Sequence, residues 1–501
     1  MDAQTKPRRN IAHPGERTED FVDAHAVNST QARDLYKKRE QIYPKLVHGT
    51  WRNVKWIAMV VLLVIYYITP WIRWDRGAGQ PNQAVLVDFE GRRFYFGPIE
   101  LWPQEVFYIT GLLVLASFGL FLATALFGRV WCGYACPQTV WTDLYLHVER
   151  WIEGDRSARI RLDKAPLSLS KATKKITKHA LWILIAIATG GAWVFYFGDA
   201  PTLMGEIVTG QASLSVYLFI GILSFTTYTL AGTMREQVCT YMCPWPRIQA
   251  AMIDQEALSV TYRADRGEPR APHKKGSTWE GRGDCIDCNQ CVAACPMGID
   301  IRDGAQLECI NCALCIDACN EVMVKVDRPI NLIAYDTDRN VQRRACGEKP
   351  RFTWIRPRTV LYAGLIVAVS VLMLYSLATR PTADLNVLRD RNPPFVQLSD
   401  GSIRNGYEIK IINKAFEDRP FLITVSGLPG AQVASMGLTP DETGALQVVA
   451  QADTVTSLRI TVTAAEGESL PASTPLVVRA ASVDGADEET KATVFLAGDR
   501  D

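Results

Sequence analysis

Long apolar runs alternate with charged stretches over the first three-quarters of the chain. The runs fall at 54–72, 105–127, 180–198, 208–234 and 359–379, each flanked by charge. Each is close to the roughly 20 residues a helix needs to cross a bilayer. Five membrane spans are predicted. The first, Trp56 to Ile72 between Lys55 and Arg73, has aromatic ends suited to the membrane interface. Beyond residue 380 the period changes. Apolar positions alternate in Tyr407–Ile412, Phe421–Val425, Leu446–Val449, Leu458–Val462, Leu476–Val478 and Thr490–Leu496, with Gly, Asp and Pro clusters between them. That pattern predicts an antiparallel β-sandwich of immunoglobulin type over 380–501. It holds no Cys or His, so a docking, shielding or capping role is expected there.

The pattern divides the chain into a polar tail (1–53), a helical bundle (54–258), a cysteine-rich insert (259–357), a fifth helix (358–379) and the β-domain. The formal net charge is +1, which gives no reason to expect a nucleic-acid partner. Arg8-Arg9 lacks the short apolar segment of a twin-arginine signal, so a basic tail with no signal peptide is expected. Charge also orients the spans. The loop from Gly128 to His179 is rich in lysine and arginine, with Arg150, Arg156, Arg159, Lys171, Lys175 and Lys178 among them, whereas Gly198 to Ser213 has neither. By the positive-inside rule, the tail and the insert are expected in the cytoplasm and the C-terminal domain outside it. The 73–104 loop, with Arg73, Arg76, Arg92 and Arg93, is the weakest vote.

The insert carries the sharpest chemistry. Cys285, Cys288, Cys291 and Cys295-Pro296 are followed by Cys309, Cys312, Cys315 and Cys319. This is C-x2-C-x2-C-x3-C written twice, the spacing of a two-cluster ferredoxin, in which the fourth cysteine of each run ligates the other cluster. One 4Fe–4S cluster is therefore assigned to Cys285, Cys288, Cys291 and Cys319, and the second to Cys295, Cys309, Cys312 and Cys315. C-x2-C pairs also bind zinc, but eight cysteines in a double register favour clusters. The second run ends Cys319-Asn320 without the usual proline, which bears on backbone shape and not on ligation. Thirteen cysteines mostly in cluster spacing argue for thiolates in a reducing compartment and not for disulfides.

Four further cysteines form a second, duplicated motif: Cys132-Gly-Tyr-Ala-Cys136-Pro137 and Cys239-Thr-Tyr-Met-Cys243-Pro244. Each follows a span. Cysteines four apart on a helical turn share a face with Cβ atoms about 5–6 Å apart, so two facing pairs offer four sulfurs. Such sulfurs suit Cu(I), zinc or an iron–sulfur cluster; the alternatives are buried small hydrophobes or a catalytic disulfide. Met234 and Met242 could add thioethers. Behind the first motif, Val140, Trp141, Leu144, Tyr145, Val148, Trp151 and Ile152 make one helical face, expected to lie on the bilayer surface. Ile248, Ala251, Met252 and Leu258 do so less cleanly after the second. His147 and His179 lie near the motifs, and Cys346 belongs to neither pattern.

Together, the two C-x-x-x-C-P motifs at span ends, the double cysteine run with its text Cys295-Pro296-Met-Gly-Ile-Asp300-Ile-Arg302-Asp-Gly304, and the immunoglobulin-like tail resemble the FixG/CcoG/RdxA family. These are accessory proteins of cbb3-type cytochrome c oxidase assembly. The resemblance runs from the first span to the tail. It implies a bacterial inner-membrane oxidoreductase, a cupric reductase making Cu(I) for the oxidase's copper centre. Copper would sit at Cys132, Cys136, Cys239 and Cys243, beside two 4Fe–4S clusters. Expected partners are the lipid bilayer, oxidase assembly factors or copper chaperones, and a cytoplasmic electron donor of unknown identity. Two other readings stay open: a quinol-oxidising membrane ferredoxin feeding a periplasmic reductase, and a non-enzymatic assembly scaffold.

Overall fold

Five helices carry the apolar runs: Thr50–Trp71, Pro103–Phe127, Leu169–Val194, Leu214–Met234 and Pro357–Ala378, with mean hydropathy between 1.2 and 2.3. They are long and apolar enough to span a membrane. Large apolar side chains such as Ile57, Leu113, Leu184 and Phe225 point outward from them, which lipid accommodates and water does not. The computed structural model describes residues 24–28, 40–77, 80–273, 278–441, 443–464, 470–485 and 487–497; Arg8-Arg9 and most of the expected tail lie outside these. The third span starts at Leu169, well before residue 180, capped by the Ser168 hydroxyl accepting from the Lys171 amide. Its first turns hold lysines, of which Lys175 and Lys178 pair with the carboxylates of Glu149 and Glu153.

Those carboxylates lie on the helix Pro137–Glu153, where the structure corrects an expectation. This helix does not lie on the bilayer with its polar side in water. Its acidic residues Asp143, Glu149 and Glu153 are all buried, while Trp151 is 77% exposed. Tyr145 is fully buried against Trp182 of the third span, and each bonds the other's backbone carbonyl. Glu149 pairs with Arg159 (3.2 Å), Arg235 (2.9 Å) and Lys178 (3.6 Å), and Glu153 with Lys178 (2.9 Å) and Lys175 (3.0 Å). Asp143 pairs with Arg52 at 2.9 Å. Basic residues at the ends of three spans thus find their counter-charges on one internal helix, because buried charge must be paired.

The mixed loop between the first two spans folds into a three-stranded antiparallel sheet, β1 (Val85–Asp88), β2 (Arg93–Phe96) and β3 (Ile99–Leu101). Within the cysteine-rich insert, β4 (Ser259–Tyr262) pairs antiparallel with β5 (Ile333–Asp336) and closes it into a lobe. The lobe is bound to the helices by chain just before the first span and by the first turn of that span. Lys45 N donates to Ala293 O (2.8 Å), and Asp317 accepts the amides of Trp51 (3.3 Å) and Arg52 (2.7 Å). A carboxylate at that helix N-terminus satisfies amides that have no partner within the helix.

The C-terminal domain is an immunoglobulin-like sandwich of β6 (Ala383–Arg389), β7 (Val396–Gln397), β8 (Ile403–Asn413), β9 (Arg419–Ser426), β10 (Gln432–Ser435), β11 (Leu446–Ala450), β12 (Thr454–Thr463), β13 (Ser473–Ser482) and β14 (Glu488–Leu496). One sheet runs β10-β12-β8-β6 with β7 on β8, the other β11-β9-β13-β14. Leu385, Tyr407, Ile409, Phe421, Ile460 and Phe495 fill the core between them. The six segments expected from alternation are all strands. β6, β7 and β10 are additional.

The ion-pair network yields a prediction. Burial alone would raise the Glu149 pKa, but Arg235, then Arg159 and Lys178, outweigh it and hold it below the ordinary glutamate value. Glu149→Ala leaves buried Arg159 and Arg235 without their counter-charge, while Lys178 keeps Glu153, and is expected to destabilise by about 3–5 kcal/mol, read as a lower Tm in detergent. The depressed carboxylate stabilises only while ionised. The gap between wild type and variant should therefore close as pH falls below the ordinary glutamate value of 4.5. An unchanged Tm at neutral pH would contradict this role.

Candidate metal centre

The two cysteine runs of the lobe fold as matching loops. Asp287 and Asn289 in the first, and Asn311 and Ala313 in the second, all adopt positive φ, between 53° and 60°. Each loop then opens a helix, Gln290–Ala294 or Leu314–Lys325. Four left-handed residues wind the chain tightly enough for cysteines three apart to face one interior. All eight cysteines are free thiols. Their electrostatic neighbours fall into two sets. Cys319 is influenced by Cys288 and Cys285, and Cys291 by Cys319 and Cys288. Cys295 is influenced by Cys312 and Cys309, and Cys315 by Cys312, Cys309 and Cys295, with Cys291 beyond. These neighbourhoods follow the crossed pairing of fourth cysteines, and Cys315 with Cys291 marks where the sets meet.

The residues fit iron–sulfur clusters. Cys291, Cys295, Cys309, Cys312 and Cys315 line one cavity whose other walls are apolar, among them Val260, Ile299 and Ile301. Burial first, then like-charged neighbours, pushes the thiols of Cys295 and Cys319 up to about 12 and that of Cys309 to about 11. Cationic iron reverses that balance, since thiolate is the ligand form. Arg302 bonds Asp300, Asp287 and Asn289 and stays charged near Cys291 and Cys285.

The membrane-edge motifs depart from a plain helical turn. Trp131–Ala135 and Val238–Met242 are π-helical, a wider turn that recurs at functional sites. Cys136 and Cys243 then leave in extended conformation, ψ 128° and 122°, as a following proline demands. The four thiols nevertheless lie within electrostatic range of one another. Cys132 is pushed up to about 12 by burial, then by Cys136 and Cys239, against the opposing charge of Arg129. Cys239 is also near 12, from burial, Cys136 and Cys243. Burial raises Cys136 too, countered by the Thr139 and Gln138 amides at the helix start. Among the described residues, no three Cys, His, Asp or Glu side chains converge closely enough to hold one ion. A single ion at the membrane edge therefore requires its sulfurs to turn inward.

Both motifs lie against the second ferredoxin set. Cys132 and Cys239 pack in one apolar cluster with Cys295, Cys309 and Cys312. Tyr134 donates to Cys312 O at 3.2 Å. A Cβ on Gly133 would meet Ile310 O at 2.7 Å, so only glycine permits this approach. Two residues with no motif complete the site. Gln249, fully buried, accepts from Cys132 Sγ at 3.2 Å. Buried Arg129 donates to the carbonyls of Leu307, Cys309 (3.1 Å) and Pro246 (3.0 Å). The duplication also extends upstream of the motifs. Gly128 and Arg235 each stand four residues before a motif's first cysteine, with φ/ψ of 58°/−125° and 47°/−111°.

Other candidates are placed elsewhere. His147 is exposed, edge-on to Trp56, and His179 Nδ1 bonds Tyr228 Oη at 2.9 Å within the spans. Met242 is 55% exposed, and Cys346 is exposed at the end of the helix Asp338–Ala345.

Three family models match: a 4Fe-4S binding domain over 109–156, a 4Fe-4S dicluster domain over 234–338, and the IG-like fold at the C-terminus of FixG over 373–498. The first two take in the membrane-edge motifs. The chain is 52% identical to nitrogen fixation protein FixG of Rhizobium meliloti (strain 1021), over 89% of this chain and 91% of that one. It is 54% identical to protein RdxB of Cereibacter sphaeroides (79% and 84% covered) and 48% identical to its protein RdxA (86% and 91%).

The close approach of Gly133 predicts that Gly133→Val forces the membrane-edge loop off the 310–311 backbone. Iron content should hold while Cu(II)-driven oxidation of the dithionite-reduced protein slows by at least about tenfold, equivalent to 1.4 kcal/mol in the barrier. Unchanged kinetics would show that the contact does not matter.

Proposed function

The chain belongs to the FixG/RdxA family, and from that premise we propose that it reduces Cu(II) to Cu(I) at Cys132, Cys136, Cys239 and Cys243. It is an iron–sulfur electron-transfer protein with five helices fit to span a membrane. The observation that carries the copper reading is that the first cysteine of each membrane-edge motif, Cys132 and Cys239, shares one apolar cluster with Cys295, Cys309 and Cys312. When bound, the clusters supply one-electron storage next to those thiols. The thiols do the rest: soft sulfur holds Cu(I) more tightly than Cu(II), and that difference in affinity favours the reduced ion. Helix-start amides at Cys136 stabilise its thiolate, and Arg129 keeps both motifs seated on the lobe.

The Cu(I) serves the copper centre of a cbb3-type oxidase, received by assembly factors or copper chaperones. The protein sits in a bacterial inner membrane, with the lobe and basic loops cytoplasmic and the sandwich periplasmic. The run of lysine and arginine from Gly128 to His179 supports that orientation.

Replacing Cys132 and Cys136 together by serine is expected to abolish copper retention and Cu(I) capture by a chelator, with iron content unchanged. A double variant that still binds copper and yields Cu(I) at the wild-type rate would remove the assignment.

A further inference from the structure

A cavity of about 550 Å³ opens beside Cys309 of the second ferredoxin set. Its walls are β4, the 301–311 loop, the start of the helix Asp338–Ala345 and the segment from Ala250 to Gln255. Cys309 and Arg129 are among the residues that line it. The volume is that of a small-molecule site, and one wall is a cysteine of the electron-carrying set.

Its level in the molecule narrows the occupant. Arg129 comes two residues after the second span ends at Phe127. Arg356, immediately before the fifth span, donates to Ala125 O at 2.7 Å and to the carboxylate of Asp254, next to the wall residue Ile253. The cavity therefore sits where two spans leave the bilayer. Exposed apolar side chains surround this level: Leu307 (45%) in the wall itself, and nearby Trp354 (54%) and Ile355 (82%) ahead of the fifth span. A dinucleotide would need free cationic groups for its phosphates. Both arginines in the wall are engaged, Arg129 by three carbonyls and Arg302 by Asp300, Asp287 and Asn289. What remains is neutral and hydrogen-bonding: the hydroxyls of Ser259 and Thr261, which bond each other, Gln306, whose amide donates to Asp300 O while its Oε1 has no partner, and Gln342, with the exposed carboxylate of Asp338 beside them.

We propose that this cavity binds the headgroup of a membrane quinol, and that the quinol is the reductant for the copper chemistry above, a reading on which the donor role rests. Neutral hydroxyl and amide groups suit two ring oxygens, the apolar rim suits an isoprenoid tail, and Asp338 is placed to accept a ring proton. The reaction balances as one quinol plus two Cu(II) giving one quinone, two Cu(I) and two protons.

The test uses the anaerobic, cluster-loaded full chain in detergent, with menadiol and decylubiquinol as probes. Either quinol should bleach the wild-type chromophore. Ala305→Trp and Ala264→Trp, both at exposed alanines in the cavity wall, should slow that bleaching at least tenfold, while dithionite bleaches all three proteins alike. A photoreactive azidoquinone should label peptides of the 301–311 loop, whatever the cluster content, and lose that label in Ala305→Trp. Failure of both quinols to reduce a wild-type protein that dithionite reduces would overturn the donor. Equal bleaching in all three proteins, or label recovered only elsewhere, would overturn the site. If dithionite-reduced protein yields no Cu(I), the copper reading fails, while the labelling still decides the quinol site.

Discussion

One buried guanidinium holds the working parts together. Arg129 leaves the end of the second span and bonds carbonyls at the start of the second cysteine run and in the first turn of the helix behind the second membrane-edge motif. Three segments far apart in sequence are thereby fixed to one rigid, planar donor, with the added strength of charge-assisted hydrogen bonds. Burial opposes its charge, and the thiols of Cys309 and Cys132 are the groups that favour it. The cation is thus matched to sulfur that becomes anionic when metal binds. Seating the lobe and loading the cysteines are coupled through the same charge. The close approach of Gly133 and the Tyr134 bond to Cys312 follow from that seating.

The membrane-edge unit is built twice by the same local means. A span ends at a residue with positive φ, the chain takes a π-helical turn through the first cysteine, and proline releases the second into extended backbone. At Gly128 this conformation is free of side-chain strain. At Arg235 a bulky residue holds it at a cost of about 1–3 kcal/mol. Its bonds to Gly232 O and Glu149 offset that cost. Motif geometry at one end of the inner helix is therefore tied to the ion pairs along it.

Much of this was legible in the residues. Five apolar runs marked five helices, the doubled cysteine spacing marked the lobe, and alternation marked six strands of the sandwich. The limits were equally physical. Amphipathicity of the helix Pro137–Glu153 could not reveal that its acidic face is the buried one, because the cations that neutralise it lie in other segments, at Arg159, Lys178 and Arg235. The third span began early because lysines that look like loop residues are paired with Glu149 and Glu153. Gln249 and Arg129 have no spacing signature at all, since their roles come from contacts across more than a hundred residues. β6 alternates as clearly as its neighbours, with Ala383 and Leu385 buried and Asn386 exposed, but its closeness to the fifth span obscured it.

The central claim is that electrons stored beside the doubled cysteine runs leave through the membrane-edge thiols onto copper. It is tested most directly by counting. The protein is reduced anaerobically, freed of excess reductant and titrated with Cu(II), while cluster absorbance and chelator-bound Cu(I) are followed together. The account predicts one Cu(I) for each electron lost, reaching two per chain for two one-electron clusters. Clusters that stay reduced beside excess Cu(II) would contradict it.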